Sequence, residues 1–213
     1  MRALAVAERL REDIRAGRFH PRERLVEAEL AVAYGVTRSA ARAAILELAA
    51  EGLVERTPNR GARVRSFSTE EAIEMAEARL LLQAMCARRA AQLGTDEDRV
   101  ELLRDVEDLR SAIARDSQEE TIAANGRIFS RIRSMSGHAT AVAIIEQLQS
   151  QTLRQSLQVL IPGRRFESLR EFERIVEAVV AGEPDEAYDA TITHMHNVIA
   201  AVRAGVRNSS ETD

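Results

Sequence analysis

Glu27-Ala28-Glu29-Leu30-Ala31-Val32-Ala33-Tyr34-Gly35-Val36-Thr37-Arg38-Ser39-Ala40-Ala41-Arg42-Ala43-Ala44-Ile45-Leu46-Glu47-Leu48 reads as two short helices meeting at a tight turn. The first runs from about Glu27 to Tyr34 and stops at Gly35, a residue suited to a left-handed cap. Thr37 is a good N-cap for the second, which continues to about Glu51 and ends before Gly52. Upstream, Leu4, Ala7, Leu10 and Ile14 recur at helical spacing over residues 4–16, and Gly17 closes that helix. Downstream, Leu53–Arg56 and Ala62–Ser66 are short β-like pieces around the turn-rich Thr57-Pro58-Asn59-Arg60-Gly61.

Three helices followed by a two-stranded wing is the order of a winged helix-turn-helix. In that fold the second helix of the pair lies in the DNA major groove. Ala41, Ala44, Ile45 and Leu48 form its inward face. Arg38 and Arg42 then lie one turn apart on the outward face, where they reach guanine edges or phosphates. Thr37 and Ser39 add hydroxyls beside a helix N-terminus that itself favours phosphate. The wing, Arg56 to Arg65, holds four arginines and no acid, and Gly61 lets its tip approach a backbone closely. The expected DNA-contacting set is Thr37, Arg38, Ser39, Arg42, Arg60 and Gly61.

Charge distribution agrees. The 213 residues carry a net charge of -4, but residues 1–66 hold 13 arginines against 9 acids, and the remainder 17 against 25. A basic head on an acidic body suits a nucleic-acid-binding regulator. All 30 basic residues are arginine. No apolar run is long enough for a membrane span, and the acid at Glu8 comes too early for a signal peptide. The lone Cys86 excludes an internal disulfide, fits a cytoplasmic protein, and falls in an apolar helical stretch that places it in the core.

From Ser68 onward the signals are helical only. Ser68 with Glu71, Ser117 with Glu120 and Ser168 with Glu171 have capping-box spacing, as does Thr95 with Asp98. Gly94, Gly137 and Gly182 mark ends, Ile161-Pro162-Gly163 marks a break, and Pro184 suits a first helical turn. The expected helices are 69–93, 96–115, 118–135, 139–160, 167–181 and 184–205. The fold class is therefore mainly α: a winged helix-turn-helix over 1–66, an antiparallel bundle of about six helices over 69–206, and a polar, disordered tail over 207–213.

Ile14-Arg15-Ala16-Gly17, Glu23-Arg24-Leu25-Val26-Glu27-Ala28-Glu29-Leu30-Ala31, Tyr34-Gly35-Val36-Thr37-Arg38, Arg42-Ala43-Ala44-Ile45, Glu51-Gly52-Leu53-Val54 and Arg60-Gly61 resemble the GntR family of bacterial regulators. The resemblance implies base and phosphate contacts at the residues above, and a homodimer on a short inverted repeat of double-stranded DNA. Ala28 stands where some members carry an arginine. The body resembles the FCD ligand-binding domain of the FadR-like branch through Glu77, Arg79, Phe129, Ser136-Gly137, Ser168-Leu169-Arg170-Glu171, Ile175, Gly182, Ala187 and His194.

Many members of that branch hold a divalent metal through an aspartate and three histidines. Here those positions fall on Gly126 (beside Asn125), Ser130, Phe172 and His194. One imidazole is a poor metal site, so no metal and no cofactor is expected. The expected effector set is Arg79, Asn125, Ser130, Gln151 and His194, with Arg79 anchoring a carboxylate or other anion. Gln83 replaces the glutamate usual in the family, which removes one acid that Arg79 could pair with. An acid on a neighbouring helix remains the alternative partner.

No phosphate loop, nucleotide fingerprint or nucleophile elbow is present, which argues against an enzyme. The reading is a sequence-specific transcription regulator of repressor type, controlled by a small organic anion. Two others stand beside it: a regulator with a non-standard metal site, and an architectural DNA-binding or helical interaction protein with no effector.

Overall fold

The computed structural model describes residues 3–57, 61–152 and 164–210, with side chains for all of these except 3–5, 15, 57, 69, 150–152 and 205–210. The chain divides into two compact units, the first built on Met1–Ser68, to which the residues from Gln149 at the end of α7 are also assigned, and the second beginning at Thr69.

The first unit begins with α1 (Ala3–Arg15), a two-residue strand β1 (Arg24–Leu25), α2 (Glu27–Tyr34) and α3 (Arg38–Ala50). A wing of β2 (Val54–Thr57) and β3 (Gly61–Val64) follows. Gly35 turns the chain between α2 and α3 at φ 64°, a conformation that costs a residue with a Cβ. Ala41, Ala44, Ile45 and Leu48 are all buried, as the spacing requires, and pack with Ala7, Leu10 and Ile14 of α1 and with Val54 and Val64 of the wing. Arg11 of α1 reaches Glu51 with two hydrogen bonds, Nε to Oε2 at 2.8 Å and Nη2 to Oε1 at 2.6 Å. That paired contact fixes α1 along α3.

The sheet has one strand more than the expected two. β3 is central: Val54 to Thr57 pair with Val64 to Gly61 on one side, and Arg24 and Leu25 pair with Arg63 and Ala62 on the other. A two-residue strand has no alternation to read. It forms because Leu25, 3% exposed, drops into the core while Arg24 stays outside.

The second unit is helical throughout its described residues. Its elements are α4 (Thr69–Leu93), α5 (Asp96–Ala114), α6 (Gln118–Met135), α7 (Ala139–Thr152), α8 (Arg164–Ala181) and α9 (Pro184–Ser210). α4 packs against α6, α8 and α9, and α5 against α6 and α8. The core between them is built from Cys86, Ala87 and Ala90, Leu102 and Leu109, Ile128 and Ile132, Ile145, Phe172, Ile175 and Val179. Small residues on α4 let the neighbouring helices approach closely.

Local signals set most boundaries. Thr95 and Asp98 form a complete capping box on α5. Ser117 accepts from the Glu120 amide at 3.4 Å, while the Glu120 carboxylate turns to Arg115. Ser168 is a correction: α8 begins at Arg164, so Ser168 lies inside the helix, and Glu171 is drawn to partners on α8 and α9. The last helix is also longer than expected. Residues 207–210 continue α9, since no glycine or proline follows Gly205 to stop it, and 211–213 lie outside the described residues. The expected helix over 139–160 is described as far as Thr152.

Candidate nucleic-acid interface and effector site

In the first unit, α3 presents its N-terminus and one exposed face. The Thr37 hydroxyl accepts from the Ala40 amide at 3.2 Å and sits 2.9 Å from the Ser39 hydroxyl. Thr37 therefore caps the helix while holding Ser39 beside it. Arg38 and Arg42 project from successive turns into a groove of about 620 Å³. Arg24, Arg56, Glu27, Ala28 and Gly61 complete its wall. Among the described residues Glu27 is the one acid there; its Oε1 is 3.8 Å from Arg42 Nε, with both side chains about half exposed. Such a pair contributes less than about 1 kcal/mol and yields readily to a phosphate.

The groove thus gathers Arg38, Arg42 and Gly61, and its wall extends past Ala28. Arg60 lies outside the described residues. Sequence reasoning missed two members. Arg24 arrives through β1, and its guanidinium packs beside Gly61, with Nε 3.8 Å from where a Cβ would stand. Gly61 holds φ 86° at this point, so glycine serves both the turn and the close approach. Arg56 enters from β2, whereas its neighbour Arg63 is tied to Glu55 at 2.9 Å.

In the second unit, His194 on α9 is 1% exposed. Its Nδ1 is 2.7 Å from Glu171 Oε2, and its ring lies 4.7 Å from that of Phe172 and 5.7 Å from that of Phe129. Glu171 also accepts from Asn197 at 2.8 Å and from Arg164 at 2.8 Å. Burial pushes the Glu171 carboxyl up, but the hydrogen bonds from His194, Asn197 and Arg164 outweigh it and hold the group below the usual carboxylate range.

Among the described residues, those at the expected ligand positions do not fit a metal ion. At the positions that the family resemblance assigns to metal ligands, Phe172 and Gly126 offer no donor atom and Ser130 is exposed, which leaves the unpartnered Nε2 of His194 alone. Among the described residues no group of three or more His, Cys, Asp or Glu side chains could hold one. His138 instead caps α7, its Nδ1 accepting from the Ala141 amide at 3.2 Å, and His196 is exposed.

Arg79 of α4 has no acid within ion-pair distance among the described residues, and its buried Nε has no partner. Burial first, and then the like charge of Arg133, lower its affinity for its proton. Asn125 Oδ1 and His194 Nε2 are also buried and unpartnered. Ser130 differs: it is exposed on α6, one residue and about 100° of helical rotation from Phe129. Gln151 lies on α7, and its side chain is outside those described. Two buried polar residues were not anticipated here, Gln83 at 5% and Arg133 at 8% exposed. Arg133 follows Asn125 and Phe129 at four-residue steps, which is the signal that could have placed it inside.

Comparison with known proteins matches both units. Residues 2–64 match the family described as bacterial regulatory proteins, gntR family, and residues 74–197 match the FCD domain. The chain is 25% identical over 197 residues to the HTH-type transcriptional repressor RspR of Escherichia coli K12, covering 91% of this chain and 86% of that protein. It is 32% identical over 113 residues to the HTH-type transcriptional repressor GlaR of the same organism, covering 53% and 51%. The fold is that of the solved E. coli McbR/YncC, with a TM-score of 0.78 at 22% identity over 96% of this chain and 98% of that one.

Proposed function

The chain belongs to the GntR family of bacterial regulatory proteins and carries an FCD domain, and from that premise we propose how it reads DNA and what it senses. It is a transcription regulator and not an enzyme. Its α3 enters the major groove with Arg38 and Arg42 on base edges, Thr37 and Ser39 on phosphate, and Gly61 with Arg60 at the wing tip. The observation that carries this is the groove of Arg24, Arg38, Arg42 and Arg56 on one exposed wall of the head. Two such heads in a homodimer read a short inverted repeat, and the protein acts as a cytoplasmic repressor. The names of the repressors it resembles support that sign.

The FCD body binds a small organic anion, for which Arg79 is the anchor and Asn125 and His194 are neighbours. A guanidinium left without an acid in a buried setting is costly, and an anionic ligand relieves that cost. Ligand binding alters DNA affinity to the extent that it favours one arrangement of the dimer. The test of the head compares two variants in operator binding. Arg42→Ala costs about 1–3 kcal/mol of discrimination between operator and mismatched sites. Arg24→Ala weakens binding to all sequences alike and lowers the salt slope by about one. An unchanged operator affinity in Arg42→Ala would remove α3 from the reading role.

A further inference from the structure

We infer that Leu46, on the outward face of α3, reads the C5-methyl group of a thymine, so that each half-site sets a thymine close to the guanine taken by Arg42. The inference rests on the reading of α3 as the recognition helix and names a second base that it selects.

Helical rotation gathers Ser39, Arg42, Ala43, Leu46 and Ala50 on one side of α3, opposite the buried Ala41, Ala44 and Leu48. Each of the five is exposed, Leu46 by 43%. The solvent face of a surface helix ordinarily carries charged and polar side chains. Here one arginine and one serine stand among alanines and a leucine. The acid next in sequence, Glu47, is turned aside, its Oε1 3.3 Å from Arg11 Nη2 on α1. A single exposed leucine is common on a protein surface. The place of this one sets it apart: around the helix axis it falls between Arg42 and Ser39, and along the axis it follows Arg42 by one turn.

The occupant of this face is the major groove. Arg24, Arg38, Arg42 and Arg56 wall the groove beside it, and DNA meets them with phosphates along its whole length. Base edges in the major groove offer hydrogen-bonding groups to an arginine, and the one apolar group they present is the thymine methyl. Leu46 makes no hydrogen bond. Against a guanine, adenine or cytosine edge it would strip water from polar groups and return nothing, whereas against a thymine methyl both partners leave water. Ala43 ends at its Cβ, so the bases can come close to the helix at the level of the leucine. Leu46 lies about 6 Å along α3 from Arg42, under two base-pair steps of about 3.4 Å. The thymine therefore falls within about two base pairs of the guanine.

The test selects a duplex from random sequence with the full chain and replaces each of its thymines in turn by deoxyuridine. That change removes the methyl group and keeps the charge and the base pairing. In the wild type, deoxyuridine at one position near the guanine that Arg42→Ala ceases to distinguish weakens binding about four-fold per half-site, the scale of one apolar carbon returned to water. In Leu46→Ala the same replacement costs nothing further, and the melting temperature without DNA keeps its wild-type value. Wild-type binding that ignores every deoxyuridine, or a half-site without thymine near that guanine, overturns the thymine contact and leaves Arg42 as a reader. A deoxyuridine effect undiminished in Leu46→Ala gives the methyl to another residue and overturns the role of Leu46. So does a Leu46→Ala protein that weakens equally on selected and scrambled duplexes and dissociates to monomers, which would place a second copy of the chain on this face. Full discrimination in Arg42→Ala removes α3 from the reading role, and the thymine contact falls with it.

Discussion

Glu171 accepts hydrogen bonds from three different side chains, two of them from Arg164, so its charge state governs how α8 meets α9. Its carboxyl titrates lower in the folded protein than in the unfolded chain, where a glutamate sits near pH 4.3. A depressed folded value means that the stabilisation is complete above the unfolded value and is lost as pH falls through it toward the folded one. The melting temperature of the wild type should therefore drop more steeply below about pH 4.5 than that of Glu171→Gln. Parallel melting curves in calorimetry across that range would contradict the assignment. The residue scale is also where the sequence was least legible. Ser168 and Glu171 have capping-box spacing, yet Glu171 has better partners in space than in sequence. Arg133 falls on the inward face at four-residue steps from Asn125 and Phe129, but its residue type argues for solvent, and the spacing prevails only because neighbouring helices enclose it.

Elements were more legible, because helix starts and stops are local chemistry. Gly35, Thr37, Thr95 and Pro184 each act where their type predicts. Strand β1 was not legible, since two residues carry no period and only its pairing with β3 reveals it. That omission removed Arg24 from the expected groove. Stability at this scale divides cleanly from DNA contact in α3. Leu48, fully buried, should cost about 2–5 kcal/mol as Leu48→Ala in denaturant unfolding. Thr37→Ala should cost about 1 kcal/mol through its lost cap, and should also weaken DNA binding because Ser39 loses the hydroxyl that holds it. A Thr37→Ala protein with unchanged stability would mean that the capping bond contributes nothing net.

On the scale of the whole molecule, a basic head and an acidic body each have their own core. In sequence the elements change from mixed to helical near Ser68. The order of elements followed from turn and cap residues, whereas the charge balance inside the bundle required the packing. A head that reads sequence, and does not merely attract phosphate, must discriminate between duplexes of equal length and charge. The most direct test measures the affinity of the full chain for a duplex selected from random sequence and for a scrambled duplex of equal length, over a range of salt. A sequence-reading head binds the selected duplex about 1,000-fold or more tighter at physiological salt, with both affinities falling as salt rises. Equal affinity for the two duplexes at every salt concentration would contradict it, and would identify an architectural DNA-binding protein instead.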